Sequence, residues 1–416
     1  MPSRKPTANL TPLHTTATAQ HLHSGERRQW LQGLGGILGY CALTTSWSAF
    51  ASTDSPPQGL APTDPVLPDF HEALRSRMQL SHGWHAGVQD PIAWRDAGRS
   101  QAKALILPFA DDTTPVDWVV LEEIVRGNTL AQRVAFNLTR DSRVQALLLR
   151  PKSPGPHPAA LMLHDHGSRF DIGKEKMVRP WGQPKIEQAA DAWAERYFGG
   201  RFPGDELARR GYIVLSVDAL GWGERSMQGF RYESQQALAS NLMNLGTSWA
   251  GQIALEDMCA AKILSRLEGV DAHRVAAVGF SMGAFRAWQL SALSDDVTAA
   301  VASCWMATMK GLMAPGNNQL RGQSAFAMLH PGIARVLDYP DLAGLAAPKP
   351  LLIQAGEQDT LFPRQEVEKA FAQLKAIWAA HRAGESLDLR WWPQGHHFDR
   401  ARQDAAFDWL AKQFAL

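Results

Sequence analysis

Ser281 stands between Gly279 and Gly283 in the stretch AVGFSMGAFRAW, directly after an apolar run and directly before a helix-like pattern. A serine hydroxyl is a poor nucleophile near neutral pH and needs a base, itself oriented by a carboxylate. The G-x-S-x-G pattern supplies the first part, because flanking glycines allow a tight, strained turn that lifts the hydroxyl clear of its neighbours. A serine serving only as a helix N-cap would not need glycine on both sides. The acid and the base are expected in loops that follow later strands. After the run PLLIQAG comes GEQDTLFP, with Asp359 and its rival Glu357, and after LDLRWWP comes QGHHFD, with His396 and His397. Asp359 is preferred because it lies deeper in its loop and precedes Pro363 in a G-x-x-D-x-x-x-P arrangement. His396 is preferred because it follows Gly395 and leaves His397 and Phe398 in the positions before the final helix.

Acyl transfer through such a serine also needs two backbone amides for the developing oxyanion. One is expected from Met282, the residue after the nucleophile. The other is expected from the loop His164-Asp165-His166-Gly167-Ser168, with the amide of His166 preferred and that of Asp165 as a close rival. H-x-H is also a metal-ligand spacing. A metal-dependent hydrolase would want further ligands downstream, and none follows, so no metal and no cofactor are expected.

The elements that must position these groups are legible as alternating runs. Residues 117 to 151 contain three strand-like segments, DWVVLEEIV, NTLAQRVAFNL and RVQALLLRP, the last closed by the turn-forming KSPGPHP. From AALMLHDHG onward, continuous apolar strands (YIVLSVD, RVAAVGF, VTAAVASC, PLLIQAG) alternate with helix-length segments. Apolar strands without polar alternation imply a parallel sheet covered on both faces. The expected fold is α/β: a doubly wound, mostly parallel sheet over 115–416, with an N-terminal helical and antiparallel-strand extension. Residues 52–114 read as a flexible lead and helices near 69–80 and 90–107. Insertions near 168–205 and 305–348 are expected at the strand ends, bringing Trp181, Trp222, Trp305 and Met306 toward a substrate. Glu224 and Arg225 in GWGER read as a structural ion pair or turn.

Composition narrows the partners. With 416 residues, 45% hydrophobic and 20% charged, the chain can bury one large core. Its 42 basic and 41 acidic residues create no field that would attract nucleic acid or an anionic membrane. A small neutral or weakly charged substrate fits better. Residues 1–51 carry Arg27 and Arg28, a short glycine-rich apolar run and the tripeptide Ala49-Phe50-Ala51, the pattern of a twin-arginine-like export signal cleaved near Ala51. That run is too short to hold a bilayer, and a periplasmic or secreted protein is expected. Cys259 and Cys304, left once Cys41 departs with the signal, read as separate thiols without metal spacing.

Residues from about 115 to the end resemble the α/β-hydrolase superfamily, in its dienelactone hydrolase and acetyl xylan esterase-like branch. The segments that carry the resemblance are HDHGSRFDIGKEKM, SVDALGWGERS, GFSMGAF, GEQDTLFP and QGHHF, and the order Ser, Asp, His is the one that superfamily uses. The resemblance implies a serine carboxylester hydrolase with Ser281, Asp359 and His396 as its triad, acting on acetylated carbohydrate or small esters. Dienelactone hydrolases proper carry cysteine as nucleophile, so serine here points toward the deacetylase-like esterases. A peptidase or amidase of the same fold is the alternative.

Overall fold

The structure, a computed structural model, describes residues 69–107, 114–227, 229–314, 317–318 and 323–416. The export-signal reading of residues 1–51 and the lead ahead of residue 69 lie outside the described residues.

The first strands are β1 (Val119–Arg126), β2 (Thr129–Thr139) and β3 (Ser142–Pro151), which form an antiparallel meander. Then follow β4 (His157–Leu163), β5 (Ile213–Val217), β6 (Val270–Phe280) and β7 (Ala299–Ser303). A two-residue pair, β8 (Met313–Ala314) with β9 (Asn317–Asn318), stands apart, and β10 (Leu351–Gly356) and β11 (Leu387–Trp392) complete the set. Nine of these strands make one sheet in the order β1-β2-β3-β5-β4-β6-β7-β10-β11. From β5 to β11 every neighbour is parallel.

The buried strands explain why their sequences show no alternation: each residue of β5, β7 and β10 is buried. Successive side chains of a strand point to opposite faces, and here they divide between two cores. Leu161, Leu163, Ala277 and Ile353 join the core that contains the helices Trp249–Ser265, Met282–Leu293 and Arg364–Ala380. Ala160, Met162, Val278 and Leu352 join the core that contains the helices Pro184–Phe198, Pro203–Arg209 and Arg400–Gln413. The sheet is therefore doubly wound.

N-terminal to the sheet, the helices Asp69–Ser76 and Pro91–Ile106 form, the second capped by Asp90, whose side chain accepts from the amides of Ile92 and Ala93. The stretch near 168–205 is more than a rim insertion, since its helix Pro184–Phe198 supplies Trp193, Ala194 and Phe198 to a core. Among the described residues no helix is long and apolar enough to cross a membrane. In an open parallel sheet, functional groups gather beyond the carboxyl ends of the strands. The segments after β4, β6, β10 and β11 all leave from that rim.

Candidate active site

Ser281 occupies the single residue between β6 and the helix Met282–Leu293, at φ 55° and ψ −124°. A side chain in that left-handed region is strained and persists only where surroundings impose it. Three hydrogen bonds impose it here. The Ser281 amide donates to the Ser303 carbonyl of β7 at 2.9 Å, and the Ser281 carbonyl accepts from the amides of Ala284 and Phe285. The flanking glycines are needed for close approach. A Cβ on Gly279 would lie 2.0 Å from the Gly283 carbonyl oxygen, and one on Gly283 would lie 1.9 Å from the Leu163 carbonyl oxygen.

The other two candidates meet this hydroxyl. His396 Nε2 lies 2.9 Å from Ser281 Oγ, and His396 Nδ1 lies 2.7 Å from Asp359 Oδ2. Asp359 is buried, and its Oδ1 accepts from the Leu361 amide at 3.0 Å. With Nδ1–H donated to the carboxylate, Nε2 is left as an acceptor facing the serine proton. Glu357 pairs instead with Arg364 at 3.5 Å, near the surface. The His397 ring faces Tyr197. Its carbonyl accepts from Arg402 Nη1 at 2.6 Å, and Arg402 Nη2 donates to the carbonyls of Gln394 and Gly395 at 3.2 and 3.1 Å. The loop carrying His396 is thus bracketed by a buried guanidinium that sequence reading did not single out.

The loop after β4 faces the same serine. Met282 is the first residue of its helix, so its amide has no intrahelical acceptor. The rings of His164 and His166 are engaged internally. His164 Nε2 accepts from the Ala219 amide at 3.0 Å, which leaves Nδ1 to donate to the Asp165 carbonyl at 2.9 Å. His166 Nδ1 accepts from the Ser168 amide at 3.0 Å, and Nε2 donates to Gln235 Oε1 at 2.6 Å. Asp165 accepts from Trp193 Nε1 at 3.0 Å. The H-x-H spacing is thus spent on internal hydrogen bonds, and these side chains do not converge as ligands. Burial pushes His166 down to about 4 and His164 well below its ordinary range, so both rings stay neutral. Burial also draws the Lys176 ammonium below its usual range, opposed by the neighbouring Asp165 carboxylate.

A cavity of about 300 Å³ opens at Ser281. Asp165, His166 and Gly167 line one side, and Trp193, Tyr197, Phe280, Trp305 and Phe362 give the rest an aromatic character. Of the residues expected near substrate, Trp305 lines this cavity and three others do not. Trp222 is fully buried, stacked on Trp249 and donating from Nε1 to the His166 carbonyl. Trp181 is clasped by the guanidinium groups of Arg126 and Arg133. Met306 is packed in the core. Trp193, Tyr197 and Phe362 take the places expected of them. Glu224 and Arg225 are tied into ion pairs, Glu224 with Lys174 and Arg225 with Glu256. No disulfide joins Cys259 and Cys304.

A doubly wound parallel sheet with a serine on a strained strand-to-helix turn, facing a histidine and a carboxylate from later strand ends, defines an α/β hydrolase. The chain belongs to the Abhydrolase family, whose model matches residues 63–376, and it is a hydrolase. Over 286 residues it is 26% identical to a Bacillus subtilis (strain 168) protein named as a hydrolase, YtaP, covering 68% of this chain and 88% of that one. Among solved structures it resembles a Bacteroides fragilis NCTC 9343 protein described as an acetyl xylan esterase, with TM-score 0.63 and 16% identity, covering 78% of this chain and 81% of that chain. It also resembles a glucuronoyl esterase from Solibacter usitatus, with TM-score 0.54 and 13% identity, covering 81% of this chain and 98% of that one.

Proposed function

We propose that the chain is a serine carboxylic ester hydrolase that works through an acyl-enzyme, on acetylated carbohydrate or other small esters. The observation that carries this reading is the unbroken hydrogen-bonded path from Ser281 Oγ through His396 to Asp359, with the hydroxyl at the floor of an open cavity.

In this reading His396 Nε2 takes the proton of Ser281 as Oγ attacks the ester carbonyl, and Asp359 stabilises the imidazolium. The amides of Met282 and His166 receive the oxyanion, each contributing roughly 3 kcal/mol. Collapse of the tetrahedral adduct breaks the bond to the alcohol oxygen, which leaves with the proton held by His396. The same imidazole then deprotonates a water that attacks the acyl-enzyme, releasing the acid and restoring Ser281. The aromatic lining, in which the Phe362 ring stacks on His396 at 6.3 Å and meets Trp305 at 5.4 Å, supports a short acyl group and a flat or ring-shaped remainder. The names borne by the structural relatives, acetyl xylan esterase and glucuronoyl esterase, support a carbohydrate ester.

Hydrolysis of p-nitrophenyl acetate tests the chemistry, and Ser281→Ala abolishes it. Retained activity in that variant, or loss on adding a chelator, would sink the serine mechanism. A panel of acetylated xylan, longer acyl esters and aminoacyl anilides tests the substrate class, and preference for the anilides would replace the esterase by an amidase. The pair Arg27 and Arg28 ahead of the apolar run supports export. Replacing both by lysine leaves the precursor inside the cell, and a normally exported product from that variant would remove the twin-arginine reading.

A further inference from the structure

Lys176 is sealed from solvent, and its two shortest hydrogen bonds go to main-chain carbonyls of the loop that faces Ser281. Nζ donates to the Asp165 carbonyl at 3.0 Å and to the His166 carbonyl at 3.1 Å. The Asp165 carboxylate lies 3.4 Å away, and the Trp193 ring covers the ammonium from 4.8 Å. Taking an ammonium out of water is unfavourable unless it is paired and hydrogen-bonded, and an apolar side chain could fill such a slot without that penalty. What the charge does here follows from peptide geometry. In a trans peptide the carbonyl and the next residue's N–H point in opposite directions. Drawing two successive carbonyls to one cation turns the N–H groups of His166 and Gly167 together to the far side. Successive amides aimed one way form an anion-binding concavity. The loop that carries them lines the Ser281 cavity.

The surroundings fix that arrangement rather than merely permit it. Trp222 Nε1 donates to the same His166 carbonyl at 3.1 Å. Gly167 takes φ +56°, and a Cβ on it would lie 2.3 Å from the Trp193 ring, so the ring that covers the ammonium also closes the turn. Arg286, paired with Asp257, donates to the His164 carbonyl at 3.3 Å and holds the end of β4 from beneath.

We infer that Lys176 is a positioning residue for oxyanion stabilisation: by holding the carbonyls of Asp165 and His166 it presents the amides of His166 and Gly167 to the anion formed when Ser281 attacks. This rests on the reading of Ser281 as the nucleophile. Lys176→Met keeps much of the apolar stem and removes every donor, and Lys176→Gln keeps an uncharged NH2 donor group. For p-nitrophenyl acetate, kcat of folded K176M falls about 10²-fold or more with KM little changed, and K176Q lies between. An alkylboronic acid, which takes Ser281 Oγ onto boron and places an anionic oxygen where the oxyanion forms, loses affinity by the factor lost in kcat/KM. A role confined to folding would lower the thermal midpoint without that parallel loss. If both variants fold with wild-type kcat and boronate affinity, the inference falls. If neither folds, wild-type protein labelled with ¹⁵N-histidine and ¹⁵N-glycine decides: the His166 and Gly167 amide signals move downfield on adding the boronic acid, and unmoved signals overturn the inference. The two readings fail separately, because Ser281→Ala that stays active overturns the nucleophile, whereas a bound boronate with unmoved amides overturns only the role of Lys176.

Discussion

Arg402 donates from Nη1 to the carbonyl of His397 at 2.6 Å, one residue past the imidazole that faces Ser281. The same nitrogen reaches Cys304 Sγ at 3.1 Å, and Nη2 reaches the carbonyls of Gln394 and Gly395. The guanidinium is fully buried, so these contacts are exchanged for no water. Its planar fork suits three carbonyls spread over one turn better than a flexible ammonium would. Arg402→Met releases the loop on both sides of His396. A displacement of about 1 Å at a reacting group costs on the order of 10²-fold in rate, and the expected result is a fall of that size in kcat with a smaller change in KM. Arg402→Lys should fall between. Steady-state kinetics on protein shown to be folded by circular dichroism checks this, and an unchanged kcat in folded R402M would remove Arg402 from the support of the site.

Asp359 and Glu357 make opposite predictions although both were candidate acids in one loop. Asp359 Oδ2 lies 2.7 Å from His396 Nδ1, whereas Glu357 faces Arg364 near the surface. Asp359→Asn puts an amide where the ring nitrogen needs an acceptor and favours the wrong tautomer, for which a fall in kcat of about 10⁴-fold is expected. Glu357→Gln should leave kcat close to wild type. The reverse ranking in a p-nitrophenyl acetate assay would transfer the role to Glu357.

How much of this could be read beforehand depends on what marks a residue in one dimension. Ser281 and Asp359 were legible because each follows a continuous apolar run, the form a buried parallel strand takes, and His396 because it follows the next strand segment, LDLRWWP, in the order Ser, Asp, His. The glycines at 279 and 283 were legible as a pattern, but their reason was not: Gly283 is required because the helix it opens passes against the Leu163 carbonyl of a different strand. Lys176 and Arg402 could not be singled out, because most of their acceptors are main-chain carbonyls, which every residue carries, and the side chains they do meet, Asp165 and Cys304, stand at no spacing that marks the pairing. Trp181 and Trp222, unlike Trp305, do not line the cavity, for a related reason. Outside regular elements no periodicity tells which way a ring points, and Trp222 sits with its Nε1 on the His166 carbonyl of the loop after β4; Trp193, on a helix taken as part of an insertion, lines the cavity.

His330 carries a pH prediction that can be isolated from the rest of the molecule. It is buried against Phe285, with Nε2 2.6 Å from Gln289 Oε1, and burial pushes its pKa from 6.5 down to about 3. Between those values the unfolded chain binds a proton at this residue and the folded chain does not. Stability from this group is therefore fully present above about pH 6.5 and is lost as pH falls toward 3. Buried carboxylates act in the opposite sense: Asp338 and Asp341 are pushed up to about 6 and Asp218 to about 7, chiefly by burial, so the folded state holds their protons longer. The sum over the molecule hides each contribution, and a difference between two chains exposes one of them. His330→Gln keeps a donor toward Gln289 and does not titrate. Taking both proteins from pH 7 to pH 5 should cost the wild type about 2 kcal/mol more than the variant, at 1.36 kcal/mol per pH unit over the 1.5 units below its ordinary value. Urea midpoints measured at both pH values give that difference directly, and parallel pH dependence in the two proteins would mean that the ring is protonated in the folded state.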